Sequence, residues 1–285
     1  MWQRSSTWLV LCVLLCALSA QAAPVVFEVG GDTTTSSIQP TVDAFRAALG
    51  SPNNLNAPGP LASGRREINW DGGGGVDIST APVTPFNVFL NLRGAQFTTP
   101  GAGLTQAPPA GGPQGGLAGL FSNATYGTTF STFSPLRLFA PANSNIVDAT
   151  FFIPGSNGTA PAAVSGFGAV FTDVDLPDST QIEYFDPTGV LLLRQFVSAG
   201  SVQDGSLSFL GVLFDAGEQI ARVRITSGNT PLGPNDDPSN GIDVVALDDF
   251  LYSEPQHVVP EPSTLALCGL GIVALCGFRR LRPRV

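Results

Sequence analysis

The amino-acid sequence predicts an all-β protein, specifically a jelly-roll-like β-sandwich with one short helix. Turn-forming residues interrupt the chain throughout, with 33 glycines and 24 prolines in 285 residues. Between them, short runs rich in β-branched and aromatic residues recur about every ten to twenty residues, which is typical of all-β proteins. Apolar spacing typical of long helices is nearly missing.

The predicted helix covers residues 40–49. Its apolar side chains Val42, Phe45 and Leu49 lie on one stripe at helical spacing. A proline in the first turn and Gly50 just after the last residue are the expected start and stop signals.

The second half of the chain predicts six strands. In residues 219–226, apolar side chains alternate with Arg222 and Arg224, as expected for a strand with one buried face. Residues 190–193 are all apolar and favour a strand covered on both faces. The six predicted strands are residues 168–174, 180–186, 190–197, 206–214, 219–226 and 242–252.

The first half is less regular and predicts five strands, at residues 25–29, 67–70, 86–92, 126–133 and 148–153. Residues 100–116 are rich in Gly, Pro, Ala and Gln and predict a long surface loop. A split into two domains near Asn157 is the alternative to one sandwich. One sandwich is favoured because the early strands are too few and too polar for an independent core.

Residues 1–23 predict a secretory signal peptide. Arg4 provides the positive start, residues 8–18 form an apolar core, and Ala20-Gln21-Ala22 gives a small-x-small cleavage pattern. We therefore expect export through the Sec translocon, with residues 24–255 forming the secreted domain. All four cysteines lie in the two terminal segments, so this domain has no disulfide; they are Cys12, Cys16, Cys268 and Cys276.

The composition excludes several classes of catalytic and binding site. The chain has no lysine, and its only histidine, His257, lies in the linker after the domain. A Ser-His-Asp or Cys-His pair, a lysine nucleophile and a His-ligated zinc site are therefore excluded from the domain. Between Pro24 and His257, eight arginines stand against twenty-one acidic residues. This charge repels nucleic acid and favours solubility and divalent cations.

The C-terminal segment, residues 256–285, combines three elements. The string VPEPSTL begins at Val259, and residues 263–278 are uncharged and mostly apolar. As a transmembrane helix these sixteen residues would span about 24 Å, slightly less than the roughly 30 Å hydrocarbon core. The arginines that follow are expected to stay cytoplasmic and anchor the segment; they are Arg279, Arg280, Arg282 and Arg284. Hydropathy alone would equally support an ordinary single-pass tail anchor.

Together these elements resemble the PEP-CTERM sorting signal of Gram-negative bacteria, which is presented to a membrane-embedded exosortase. The residues that would form the sorting and processing motif are Val259, Pro260, Glu261, Pro262, Ser263, Thr264 and Leu265. The resemblance implies a transient inner-membrane anchor and cleavage near the Pro-Glu-Pro element. It then implies release to the cell envelope or extracellular matrix as a non-catalytic protein associated with exopolysaccharide.

The body of the chain also resembles a group of PEP-CTERM proteins. The similar segments are residues 64–72, 165–175, 211–229 and 244–252. This resemblance implies no biochemical role.

Asp173, Asp175 and Asp178 form the predicted metal site, with calcium as the ion. On a strand, residues 173 and 175 would project from the same face, and Pro177 would turn the chain so that Asp178 approaches. Carboxylates held close together are unfavourable unless a cation neutralises them. The alternative is a solvated strand end.

Trp70 is the candidate for sugar stacking. It is the tryptophan that remains after removal of the signal peptide, and Tyr126, Tyr184 and Tyr252 could extend an aromatic platform. A carbohydrate-binding module is therefore an alternative function. The competing interpretation places Trp70 in the core.

Two adjacent acids, Asp248 and Asp249, lie in the last predicted strand. Strand alternation predicts that they point to opposite faces, so at most one could join a site with Glu28 or Asp32.

A carboxylate-dependent glycoside hydrolase is the second alternative function. It requires two acids flanking one glycosidic bond. The candidates Glu67, Asp71, Glu183 and Glu218 show no spacing that singles out a pair. We therefore expect the protein not to be an enzyme.

Overall fold

The computed structural model describes residues 23–71 and 80–259. In this part of the chain, fourteen strands form two seven-stranded antiparallel sheets. The first sheet contains, in spatial order, β1 (Val25–Gly30), β11 (Leu207–Leu213), β8 (Gly166–Thr172), β13 (Ala246–Ser253), β5 (Leu138–Ala142) and β4 (Gly103–Ala107), with β2 (Arg65–Ile68) also paired to β13. The second contains β10 (Leu191–Phe196), β9 (Gln181–Phe185), β12 (Arg222–Thr226), β6 (Ile146–Phe152), β7 (Pro161–Ala163) and β14 (Gln256–His257), with β3 (Ala95–Thr98) also paired to β6.

The helices are short except for the first. They are α1 (Thr35–Leu49), α2 (Leu90–Arg93), α3 (Gly116–Leu120), α4 (Tyr126–Thr129) and a 3-10 helix at Pro238–Asn240. The predicted stripe of α1 is confirmed, since Val42, Phe45 and Leu49 are buried with Phe209 against the first sheet. The helix begins before the predicted start, so Pro40 lies inside it.

The main core lies between the two sheets, and Trp70 is at its centre. The indole stacks on Phe139 with 3.8 Å between ring centroids and 2° between ring planes. Its edges meet further phenylalanines, including Phe97 at 5.5 Å and Phe250 at 5.0 Å. Such aromatic packing buries a large apolar area between the two sheets.

The prediction of a mostly β protein with two packed antiparallel sheets is confirmed. Every strand predicted in the second half of the chain is present, within a few residues of its expected bounds. The alternation in β12 is also confirmed, because Val223 and Ile225 are buried while Arg222 and Arg224 are half-buried on the other face. Both sheets pair strands from the two halves of the chain, for example β1 with β11 and β6 with β12.

Four local predictions were wrong. Residues 86–92 and 126–133 contain α2 and α4 in place of strands. Gly94, with a φ of 71°, ends α2 and turns the chain straight into β3. Residues 100–116 contain β4, whose five residues are all buried and pair with β5 along their whole length. Residues 190–193 enter β10, which pairs with β9 alone, and Val190 is 59% exposed.

No helix among residues 23–71 and 80–259 is long and apolar enough to cross a membrane. The predicted signal peptide and the predicted span at residues 263–278 lie outside the described residues. The predicted domain boundaries remain predictions.

Candidate metal centre and the sorting segment

An acidic cluster lies at one end of the first sheet. Asp173, Asp204 and Asp236 each bring a carboxylate oxygen to within 4.8 Å of the others. Asp173 follows β8 directly, Asp204 precedes β11, and Asp236 lies in the loop before β13. Three segments distant in sequence therefore meet at this cluster.

Asp173 is fixed by the backbone around it. Its φ of 73° takes the chain out of the strand, and its backbone N–H donates to the carbonyl of Ser206 at 2.8 Å. One carboxylate oxygen, Oδ1, accepts from the N–H of Gly205 at 2.9 Å. The other, Oδ2, has no hydrogen-bond partner among the described residues, although the side chain is 0% exposed. This half of a buried carboxylate is left unsatisfied.

The loop that carries Asp236 is held by α4 and by the turn that precedes this helix. The hydroxyl of Tyr126 donates to the carbonyl of Pro234 at 2.9 Å, and the amide of Asn123 donates to the same carbonyl at 2.9 Å. Asp236 itself accepts from the N–H of Val244 at 3.1 Å through Oδ1. The loop is therefore positioned before any ligand binds.

Two further acids, Asp243 and Asp175, lie beside this cluster. Asp243 is buried and accepts from the hydroxyl of Ser179 and from the N–H of Leu176 at 3.2 Å, so its role is to hold the chain after β8. Asp175 is half-buried, and within the described part of the chain its Oδ2 lacks a hydrogen-bond partner. Its carboxylate adds a negative charge beside Asp236.

The pKa values of the cluster reflect burial and mutual repulsion. Burial, then the charges of Asp236 and Asp175, raises the pKa of Asp173 to about 9. Burial, then the charges of Asp243 and Asp204, raises the pKa of Asp175 to about 6. Burial likewise raises the pKa of Asp236 to about 7, with Asp175 and Asp243 contributing repulsion. The carboxylates thus resist ionising together without a compensating positive charge.

The structure corrects the predicted trio of Asp173, Asp175 and Asp178. Asp178 is exposed and lines a separate groove with Glu28. The alternation argument failed because β8 ends at Thr172 and the following residues leave the strand. Sequence reasoning missed both Asp204 and Asp236, although Asn235-Asp236-Asp237, between two prolines, is an acidic turn sequence. That acidic turn was the one available signal for Asp236.

The predicted sugar-stacking role of Trp70 is contradicted. Trp70 is fully buried, and its indole N–H donates to the carbonyl of Asp248 at 2.8 Å. The three tyrosines are buried as well; Tyr184 donates to a backbone carbonyl of β8 and Tyr252 to the carbonyl of Arg93. Stacking on a sugar needs an exposed ring face, which these residues do not offer.

Asp248 and Asp249 were predicted to point to opposite faces, and this was wrong. The register of β13 shifts between Leu247 and Phe250, so the simple alternation is interrupted. Both carboxylates are buried and meet at Ser134, whose hydroxyl lies 2.6 Å from Asp249 Oδ1 and 3.4 Å from Asp248 Oδ1. Neither forms the predicted site with β1: Glu28 binds Gln195 and Ser198, and Asp32 binds Thr34.

Three of the four acids considered for glycoside hydrolysis have structural partners. Glu67 accepts from Arg46 at 3.0 Å and from Arg65 at 2.6 Å. Glu183 accepts from Arg194 at 2.6 Å. The list is completed by Asp71, which accepts from the backbone N–H groups of residues 136 and 137, and by Glu218, whose Oε2 is buried without a hydrogen-bond partner in the described ranges.

The segment that leads to the predicted sorting motif is attached to the second sheet. β14 pairs with β7, with Gln256 opposite Ala163. Beyond it, the side chain of Gln219 donates to the carbonyl of Val259 at 2.9 Å and accepts from its N–H at 2.9 Å. The described chain ends there. Residues 260–265 and the four terminal arginines lie outside the described residues.

Comparisons with known proteins identify this C-terminal region. The family described as PEP-CTERM protein-sorting motif matches residues 258–280. A search of curated proteins finds no match. A solved structure described as the His 62 mutant of the lectin binding domain of Lectinolysin complexed with Lewis b is 11% identical. It covers 53% of this chain and 90% of its own, and its TM-score of 0.24 is too low to support any conclusion. The chain therefore carries a PEP-CTERM protein-sorting motif, which marks it for export with exosortase as its processing partner.

Proposed function

We propose that this protein acts outside the cytoplasm as a non-catalytic envelope or matrix protein associated with exopolysaccharide. The observation that carries the proposal is the sorting motif at residues 258–280, which follows the folded β-sandwich directly. The function of such a chain depends on where the folded domain is delivered.

The residue chemistry of the domain supports a non-catalytic role. The chain has no lysine, and its only histidine is His257 in β14. The acids Glu67 and Glu183 are bound by arginines. Such ion pairs hold carboxylates in fixed structural positions, whereas a hydrolase needs two of them directed into one cleft.

The proposed route begins with the signal peptide and the Sec translocon. Residues 263–278 then anchor the precursor in the inner membrane, with the following arginines on the cytoplasmic side. Exosortase cleaves near Pro260-Glu261-Pro262, and the domain passes to the envelope or matrix. The proposal includes calcium as a bound ion, because the carboxylates of an acidic exported domain are suitable ligands for divalent cations.

Expression in a host that contains an exosortase tests this function. Wild-type protein is expected to lose its tail, detected by mass spectrometry, and to fractionate with extracellular polysaccharide. Glu261→Ala is expected to stay uncleaved in the inner membrane, while the exposed-site control Asp215→Ala is processed normally. Recovery of wild-type protein from the cytosol with its leader attached would contradict the proposal, as would normal release from a strain lacking polysaccharide.

The carbohydrate-binding alternative has lost its predicted platform, since Trp70 is buried. A glycan array probed with the exported protein separates the functions. Binding to one defined glycan would favour the binding module, and release of reducing sugar from a polysaccharide would favour the hydrolase.

A further inference from the structure

We propose that Asp173, Asp204 and Asp236 bind one calcium ion, which ties three loops together at one end of the sandwich. The inference deepens the proposed function and rests on it only for the supply of calcium outside the cell. Cation binding itself requires neither sorting nor polysaccharide.

The register of the first sheet explains why these residues meet. Thr172, the last residue of β8, lies opposite Leu207 of β11 and Ala246 of β13. β8 therefore ends where its two antiparallel neighbours begin. Asp173 and the loops that lead into the two neighbours must all emerge at this end of the sheet. Their convergence is a property of the strand order.

The spacing of the carboxylates suits one ion. Calcium binds oxygen at about 2.3–2.6 Å, so two oxygens on the same ion are at most about 5 Å apart. One carboxylate oxygen from each of the three aspartates lies within 4.8 Å of the other two. A single calcium ion can therefore contact all three residues.

The unpaired carboxylate oxygen of Asp173 indicates that a ligand binds there. Its side chain is fully buried, and Oδ2 has no hydrogen-bond partner in the part of the chain that the structure describes. Buried polar atoms are almost always paired, so an unpaired carboxylate oxygen requires an explanation. A proton on Oδ2 would leave a buried donor with no acceptor. A cation binds Oδ2 directly while Oδ1 keeps its bond to Gly205.

The ligand chemistry favours calcium over other metals. The three ligands are carboxylates, which suit hard cations, whereas zinc and copper sites in proteins favour sulfur or imidazole. The ligands come from three irregular loops, and calcium tolerates irregular coordination while magnesium requires a nearly ideal octahedron. Asp204 is exposed, so water has access to the remaining coordination positions.

Asp248 and Asp249, in β13 of the first sheet, form an acidic pair whose partners are protein groups. Asp248 accepts from the N–H of Phe133 at 2.6 Å, and Asp249 accepts from Ser134 and lies 3.8 Å from Arg46. Donors and an arginine thus satisfy this pair. The cluster at Asp173 has no such arginine among the salt bridges of the described residues.

The test measures calcium binding and thermal stability of the full chain, purified in detergent and stripped of metal. One calcium ion per chain is expected. At a calcium concentration of about one hundred times Kd, the Tm should rise by about 5–10 °C. Asp204→Asn and Asp236→Asn should each weaken calcium binding about tenfold or more, because ligand charge sets the affinity of such sites. Asp204 is exposed, so its variant should still fold.

Asp178→Asn is the matched control, since it removes one negative charge from an exposed aspartate close by in sequence. It should bind calcium as wild type does. The inference is overturned if the folded wild-type chain takes up no calcium, if magnesium binds equally well, or if Asp178→Asn weakens binding as much as Asp204→Asn. Normal cleavage of Asp204→Asn by exosortase would show that calcium binding and sorting are separate, so failure of one leaves the other standing.

Discussion

The Asp248→Asn variant should become increasingly more stable than wild type as the pH rises above 4. Asp248 and Asp249 are both buried, so their carboxyl groups repel each other strongly when both are charged. Burial, followed by the charge of Asp249, raises the pKa of Asp248 well above its ordinary value. Burial raises the pKa of Asp249 to about 6. An asparagine at position 248 can still accept from the N–H of Phe133 but carries no titrating proton.

The sign follows from proton linkage. A carboxyl group whose pKa is raised by folding binds its proton more tightly in the folded state. Its stabilising contribution is complete below the unfolded pKa, about 3.8, and is lost as the pH rises towards the folded pKa. One proton corresponds to about 1.4 kcal/mol per pH unit. Between pH 4 and pH 6, the Asp248→Asn variant should therefore gain at most about 3 kcal/mol over wild type.

Thermal unfolding of both proteins from pH 4 to pH 6 measures this gain. For a domain of this size, about 3 kcal/mol corresponds to a Tm difference of roughly 6–12 °C at pH 6. The two proteins should melt at similar temperatures near pH 4. Asp215→Asn, at an exposed acid, is the control and should follow wild type at every pH. A Tm difference between Asp248→Asn and wild type that does not change with pH would refute the reasoning.

Two further predictions concern contacts near the C-terminal end of the described residues. Glu254→Gln should lower the free energy of unfolding by about 3–5 kcal/mol in urea denaturation, because it leaves the fully buried Arg66 without its charge partner at 2.6 Å. Its control Glu183→Gln removes the partner of a half-exposed arginine and should cost less than about 1 kcal/mol; equal losses would contradict the prediction. Gln219→Ala should speed amide hydrogen exchange at Val259, where two hydrogen bonds are lost, while β12 exchanges as before. Unchanged exchange at Val259 would show that this contact does not hold the segment.

Local patterns predicted the regular elements well. The stripe Val42, Phe45 and Leu49 depends on spacing within one helix, and the alternation around Val223 depends on spacing within one strand. Both patterns reflect contacts made by residues close in the chain. The prediction failed where such a pattern was too short to be informative, as in residues 86–92, where a four-residue helix replaced the expected strand.

The candidate site was only partly predictable. Asp173 was identified because several acids lie close together in sequence. Asp204 and Asp236 were not, since the sequence does not show which loops strand pairing brings to the same end of a sheet. The shift of register in β13 likewise reversed the expected direction of one of two adjacent aspartates. A single irregular residue pair changes which side chains share a face.

The sequence by itself determined the sorting motif, the absence of lysine and cysteine from the exported domain, and its mostly β character, because these depend on residue types and on spacing along the chain. The tertiary structure alone decided that Trp70 is the centre of the core and that Asp173 meets Asp204 and Asp236. Both outcomes follow from strand order and sheet packing. These place side chains from distant segments within a few ångströms of each other, and no local pattern contains that information.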